Sequence, residues 1–111
     1  GGENIACLDV EGALHRHPCV MEACVFSIPD DRLGEIVGAS VQIQKEDAIT
    51  SKDLQDFLLQ HIAHFKIPEH IWLQTEPLPR GATNKFDRRG LRQRCLNDLE
   101  VEPEKNDGRE Y

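Results

Sequence analysis

The sequence lacks an apolar run near the roughly 20 residues that a membrane-spanning helix requires. No secretory signal peptide is visible either, so we expect a protein without a transmembrane segment, located in the cytoplasm. Aromatic side chains are also few, at 5% of the 111 residues. The single tryptophan, Trp72, stands in a short predicted strand. We expect it to pack in the core rather than to form a stacking surface.

The four cysteines contain no CxxC pair, and the histidines have no spacing that would complete a four-ligand zinc site. We therefore expect reduced thiols and no bound metal. The chain also lacks a GxxxxGK phosphate loop and a serine elbow, which excludes P-loop nucleotidases and serine hydrolases of that type. Any catalytic chemistry must therefore depend on other groups.

Positive charge is in the minority, with 13 basic against 20 acidic residues and a net charge of −7. A nucleic acid needs a basic face for its phosphates, so we expect no nucleic-acid partner. The basic residues are concentrated in residues 80–94, which hold six of them and one aspartate. The last fourteen residues carry six acids and two bases. We expect one folded domain over residues 1–97 and an acidic, disordered tail over residues 98–111.

Apolar periodicity predicts a helix, two strands, a helix, a strand and a final helix. The predicted elements cover residues 7–17, 20–28, 36–43, 50–64, 71–73 and 88–99. Thr50 and Asp53 form a helix start, in which a hydroxyl and a carboxylate can bond the unpaired backbone N–H groups. This order of elements indicates an α+β fold: a small three-stranded sheet packed with helices.

Two loops stand out from this framework. Residues 78–85, Leu-Pro-Arg-Gly-Ala-Thr-Asn-Lys, place Lys85 in a loop of proline, glycine and small polar residues. At the opening, Gly1 and Gly2 allow close approach of a ligand to the backbone. A lysine held at a loop tip is a positive charge that another surface can receive. A solvated surface lysine is the commoner role of this residue type, and the loop alone does not decide between the two.

Six motifs in order resemble those of a known family. They are Gly1-Gly2-Glu3-Asn4-Ile5, Val10-Glu11, His17-Pro18 with Val20 and Glu22, Pro29-Asp30-Asp31-Arg32-Leu33-Gly34-Glu35, Phe65-Lys66-Ile67-Pro68, and Leu78-Pro79-Arg80 leading to Lys85. Together they span residues 1–96, nearly all of the predicted domain. The chain resembles the mobile C-terminal domain of AMP-forming acyl-CoA synthetases, of the adenylate-forming ligase superfamily. Among these it looks most like the fatty-acid and related acid ligases.

The resemblance implies a two-step reaction. A carboxylic acid and ATP, with magnesium, give an acyl-adenylate and pyrophosphate, and the acyl group then passes to coenzyme A. The N-terminal domain of the same enzyme would hold ATP and the acid, so this chain alone would be inactive. By resemblance, Lys85 matches the lysine presented for adenylation. The residues matching the loop that lines the pantetheine tunnel are Gly1, Gly2 and Glu3.

Several arginines have two interpretations. Arg32 falls where some relatives place a basic residue near the coenzyme A phosphates, and the alternative is a surface ion pair with Asp30 or Glu35. Arginines of the last predicted helix also have two interpretations, and these residues are Arg88, Arg89 and Arg92. They can contact coenzyme A phosphates, or they can be solvated on the surface of the helix, which is the interpretation we prefer.

The chain departs from the family pattern next to the lysine, where the family usually has glycine and this sequence has Asn84. Asparagine tolerates positive φ, so the shape of the loop can survive. Its side chain can also crowd the nucleotide. This departure keeps open a non-catalytic interaction or regulatory module with the same fold. An adenylation domain that serves a carrier protein and an acyl-AMP ligase are the alternatives within the enzyme class.

Overall fold

A computed structural model describes the backbone of residues 5–45 and 48–107 and the side chains of residues 7–45 and 48–99. Its elements are α1 (Ile5–Leu14), β1 (Val20–Asp30), β2 (Gly34–Ile43), α2 (Ser51–Leu58), a 3₁₀ turn (His64–Lys66), β3 (His70–Gln74) and α3 (Arg88–Asp107). The predicted α+β fold and the predicted order of helices and strands are confirmed.

The three strands form one sheet in the order β1-β2-β3. β1 and β2 are an antiparallel hairpin in which Val20 lies opposite Ile43 and Asp30 lies opposite Gly34. Gly34 has a φ of +84°, which glycine adopts without steric cost and which closes the turn. β3 pairs with β2 in parallel, since α2 provides the crossover between them. β1 is therefore an edge strand.

Helices cover both faces of this sheet, so the domain has two apolar cores. On the first face, α1 and α2 pack on the strands; the most deeply buried members are Val10, Leu14, Val25, Ala39, Val41, Leu54 and Leu58. On the second face, α3 and the segment before it pack on the strands; the buried members are Cys24, Phe26, Ile28, Leu78, Leu91 and Cys95. Trp72 packs against this second core, as expected from the sequence.

The sequence of β2 places Val37, Ala39, Val41 and Ile43 on one face and the polar Ser40 and Gln42 on the other. Ser40 and Gln42 belong to that face, yet both are buried. The same face carries the second core, in which α3, distant in sequence, packs against β1. Gln42 satisfies its amide by donating from Nε2 to the backbone oxygen of Thr75 over 3.0 Å.

All three helices differ from their predicted bounds. α1 covers Ile5–Leu14 rather than residues 7–17, and after it His17 makes an i to i−3 bond to Leu14. The capping box of α2 forms as expected, with Thr50 Oγ1 accepting from the Asp53 N–H, but the helix ends at Leu58. The next residues make tighter i to i−3 bonds, such as His61 N–H to Leu58 O at 2.9 Å. α3 continues past Leu99 to Asp107, into residues predicted to be a disordered tail. In residues 100–107, three glutamates and a lysine favour a helix, whereas Pro103 opposes one. The boundary between domain and tail stays a prediction.

Candidate active site: the lysine loop

Residues 78–87, the lysine loop, connect β3 to α3 and form a small hairpin. Arg80 and Phe86 pair as an antiparallel bridge at its base. Above the bridge, the Gly81 N–H donates to the Lys85 carbonyl over 2.7 Å, and the Asn84 N–H donates to the Gly81 carbonyl over 3.0 Å. These backbone bonds fix the turn whose last residue is Lys85.

Asn84 provides the conformation that this turn requires. Its φ is +66°, and within the described part of the chain no other non-glycine residue has a positive φ. The left-handed region is unfavourable for most side chains but is accessible to asparagine. The family's usual glycine is therefore replaced by a residue that retains the turn, as the sequence led us to expect.

The base of the lysine loop is held to β1 by the Arg80 guanidinium. Its Nη2 lies 2.5 Å from Glu22 Oε2 on β1, and its Nη1 donates to the Asn84 carbonyl over 2.8 Å. The same guanidinium lies 4.4 Å from the centroid of the Phe86 ring, which is cation–π geometry. One side chain thus connects the sheet, the turn and the base of the hairpin.

The exit of the lysine loop is fixed by Asp87. Its N–H donates to the Pro79 carbonyl over 2.9 Å, which closes the hairpin. Its Oδ1 accepts from the Gly90 N–H over 3.1 Å, so Asp87 also caps the first turn of α3. The end of the loop is therefore the beginning of the helix.

Lys85 is exposed. Among the residues whose side chains the structure describes, no carboxylate forms an ion pair with it. In contrast to Lys85, the guanidinium of Arg80 within the loop is paired with Glu22, and that of Arg88 just after the loop is paired with Glu11. Lys85 therefore offers a point charge with three donors to an anionic group on another surface.

The structure corrects the interpretation of two further arginines. Arg88 does not solvate α3: its side chain is 14% exposed and its Nη1 donates to Glu11 and to the Val25 carbonyl. Arg92, one turn later, donates from Nε to the Ser27 carbonyl over 2.7 Å. Arg89 is exposed, in agreement with the prediction. Sequence alone could not identify these contacts, because the two carbonyls belong to an edge strand about 65 residues earlier.

Arg32 lies far from the lysine loop. It is exposed in the turn between β1 and β2, where Asp30 Oδ2 accepts from the backbone N–H of Arg32 over 3.2 Å. Asp30 thus binds the backbone of the turn rather than the Arg32 side chain. The lysine loop contacts Glu22 near the start of β1, whereas Arg32 follows its end, which puts about eight residues and ~26 Å of strand between them. The structure therefore does not bring Lys85 and Arg32 into one site.

A groove of about 690 Å³ lies beside the Arg32 turn, between β2 and α2. Its apolar lining includes three exposed side chains, Leu33, Leu59 and Phe65. The other predicted site residues, Gly1, Gly2 and Glu3, lie outside the described residues. Within the described part, no three His, Cys, Asp or Glu side chains are grouped to hold a metal ion, and no helix there is long and apolar enough to cross a membrane.

Known proteins are similar to this chain in sequence and in fold. A family model described as the AMP-binding enzyme C-terminal domain matches residues 9–85, a range that ends at Lys85. Oxalate–CoA ligase of Saccharomyces cerevisiae is 38% identical over 89 residues, which cover 80% of this chain and 16% of that protein. The human medium-chain acyl-CoA ligase ACSF2, named as mitochondrial, is 37% identical over 99 residues, with coverage of 87% and 16%.

The fold comparison agrees with the sequence comparison. The crystal structure of an acyl-CoA synthetase from Brucella canis superposes with a TM-score of 0.74 at 30% identity, over 84% of this chain and 18% of that one. This chain spans about a sixth of the length of the curated relatives it matches. Because the family model covers well over half of the sequence and includes the lysine loop, the chain belongs to the AMP-binding enzyme C-terminal domain family.

Proposed function

We propose that this chain is the mobile C-terminal domain of an AMP-forming acyl-CoA synthetase, and that Lys85 acts in its adenylation step. The observation that supports this is the exposed Lys85, which no carboxylate of the described side chains pairs, at the end of a turn that is bonded to the sheet and to α3. The family match includes this lysine. A solvated surface lysine would not require such a framework.

Adenylation joins two anions. The oxygen of a carboxylate attacks the α-phosphorus of ATP, the bond from that phosphorus to pyrophosphate breaks, and an acyl-adenylate forms. An ammonium group between the carboxylate and the α-phosphate reduces their repulsion and stabilises the charge that develops in the transition state. Lys85 can supply it, since the side chain is long, flexible and not engaged by a described carboxylate. Magnesium would neutralise the ATP phosphates, held by ATP and the remainder of the enzyme.

The remaining length of the relatives would contain the pockets for ATP and the acid, so we expect no activity from this chain alone. We propose a fatty acid as the substrate, in keeping with the medium-chain acyl-CoA ligases among its relatives. Relatives named for oxalate and for medium-chain acids have similar identities to this chain, which supports an acid pocket outside this domain. The cytoplasmic location predicted from the sequence stays a prediction.

The acyl acceptor is proposed to be coenzyme A. By resemblance, Gly1, Gly2 and Glu3 would line the pantetheine tunnel, and Arg32 would lie near the coenzyme A phosphates. The separation between Arg32 and Lys85 supports this division, since two half-reactions that use different faces of one domain need residues that are far apart. An assay with a carrier protein in place of coenzyme A tests the alternative acceptor. Acyl transfer to the carrier and not to coenzyme A would indicate an adenylation domain that serves a carrier protein.

The first test is acid-dependent exchange of pyrophosphate into ATP by the full-length enzyme that contains this chain. We expect Lys85→Ala to lower the exchange rate by about 10²- to 10³-fold, the usual cost of one lost electrostatic contact to the transition state. Thioester formation from supplied acyl-adenylate should stay near the wild-type rate. Lys52→Ala is the matched control, because Lys52 is also exposed but pairs with Asp56 on α2.

Two results would contradict the proposal. Equal losses in both half-reactions would remove Lys85 from the adenylation step. Absence of exchange by the wild-type enzyme with a broad panel of acids would favour a non-catalytic module with this fold.

A further inference from the structure

The outer edge of β1 is bonded by side chains at the point where α3 begins. β2 pairs with one edge of β1, and β1 is the end of the sheet. At Val25 both backbone groups bond to side chains: the N–H donates to Glu11 Oε2 over 2.8 Å, and the carbonyl accepts from Arg88 Nη1. One side chain of α1 and one of α3 thus bond the same residue of β1.

Glu11 and Arg88 also bond each other, with Oε2 and Nη1 2.5 Å apart. Each side chain is only 14% exposed. Charge-assisted hydrogen bonds are directional, and a charge buried in this way tolerates little displacement from its partner. The pair therefore fixes the first residue of α3 against α1 and β1.

This fixed point is adjacent to Lys85, since Arg88 follows it by three residues. The other end of the lysine loop is held by the Arg80–Glu22 pair on the same strand. Between these two attachments the loop is bonded internally, so the two arginine contacts, together with the buried Leu78 and the packed Phe86, set its position on the domain. Arg88 is the more buried of the two arginines.

We propose that Glu11 and Arg88 are positioning residues for Lys85, which they serve by fixing the start of α3 on the edge of β1. The inference rests on the proposed role of Lys85 in adenylation. Neither side chain needs to touch the substrate. Their effect should appear in the adenylation step, where an error of about 1 Å in the place of a catalytic group can cost ~10²-fold.

The test uses the full-length enzyme and measures both half-reactions, with the thermal midpoint as a record of folding. Glu11→Gln is the main variant because it removes the charge and retains an oxygen for the Val25 N–H. We expect it to slow pyrophosphate exchange by at least about tenfold and to change thioester formation from acyl-adenylate by less than about threefold. Arg88→Lys, which keeps the charge but cannot reproduce the planar fork, should give a smaller change in the same direction.

Arg92→Gln is the matched control. Arg92 lies on the same helix and bonds the same strand edge through the Ser27 carbonyl, but one turn farther from Lys85. We expect this variant to leave the ratio of the two half-reactions unchanged.

A change in that ratio for Glu11→Gln but not for Arg92→Gln supports the inference. Parallel loss of both half-reactions in Glu11→Gln and Arg88→Lys, following the thermal midpoint, overturns it and leaves the pair a structural role only. Unchanged exchange in both variants also overturns it. Lys85→Ala in the same assay separates the levels of the hypothesis. If Lys85→Ala keeps full pyrophosphate exchange, the proposed role of Lys85 in adenylation fails. If Lys85→Ala loses exchange but the Glu11 and Arg88 variants keep it, only the positioning role fails.

Discussion

At the scale of single residues, Asn84 decides whether the departure from the family pattern disables the lysine loop. Its left-handed backbone is the conformation for which the family uses glycine, so the substitution retains the turn. The presence of asparagine before Lys85 is therefore a weaker argument for a non-catalytic module.

Asn84→Ala and Asn84→Gly separate backbone from side chain. Alanine in the left-handed region costs about 1–2 kcal/mol, whereas glycine adopts it freely. We expect Asn84→Ala to lower pyrophosphate exchange in the full-length enzyme and Asn84→Gly to equal or exceed the wild type. If alanine proves as active as asparagine, the positive φ is not required for the reaction.

At the scale of elements, the start of α3 matters most because the lysine loop ends there. A Cβ at Gly90 would lie 2.3 Å from Asp87 Oδ2, so alanine at this position displaces the carboxylate that caps the helix. Gly12, in α1, has nothing within 4 Å of such a Cβ. The two glycines therefore form a matched pair within helices.

We expect Gly12→Ala to stabilise the domain by about 0.5–1 kcal/mol, the usual gain of alanine over glycine in a helix. Gly90→Ala should lose this gain to the broken cap, which costs about 1 kcal/mol. Denaturant unfolding of both variants gives the comparison. Equal stabilisation at the two positions would show that the Asp87 cap contributes little.

The elements were predictable from local patterns, and the contacts between them were not. The strand predicted over residues 36–43 and the hydroxyl–carboxylate start of α2 rest on signals within a few residues, and the structure agrees with both. The second core requires α3 to pack on β1, and the bonds from Arg88 and Arg92 require carbonyls of β1. Spacing along the chain contains no information about such pairings. Lys85 could be singled out because its loop composition is local, whereas Glu11 and Arg88 could not be assigned as a pair.

At the scale of the whole molecule, the sheet lies between two cores, and the second one includes a titratable thiol. Burial raises the pKa of Cys95 from 9.0 to about 11, an effect that the nearby Arg94 guanidinium partly opposes. Folding thus favours the protonated form of this side chain. The thiol is kept neutral across the physiological pH range.

This shift predicts a pH dependence of stability. The unfolded chain loses the Cys95 proton near pH 9 and the folded chain near pH 11. The contribution of the Cys95 thiol to the free energy of unfolding is therefore fully present below pH 9. It is lost as the pH rises towards 11, by up to about 2–3 kcal/mol. Between pH 8 and 11, the free energy of unfolding measured with denaturant should fall less steeply for Cys95→Ala than for the wild-type chain. Parallel curves would contradict the assignment.

The arginine contacts on β1 have a consequence for solubility. An edge strand offers unpaired N–H and carbonyl groups to any other extended chain, and this makes it a starting point for aggregation. Both backbone groups of Val25 and the carbonyl of Ser27 are already bonded, to Glu11, Arg88 and Arg92. The side chains that fasten α3 to the sheet therefore also deny part of this edge to a second molecule.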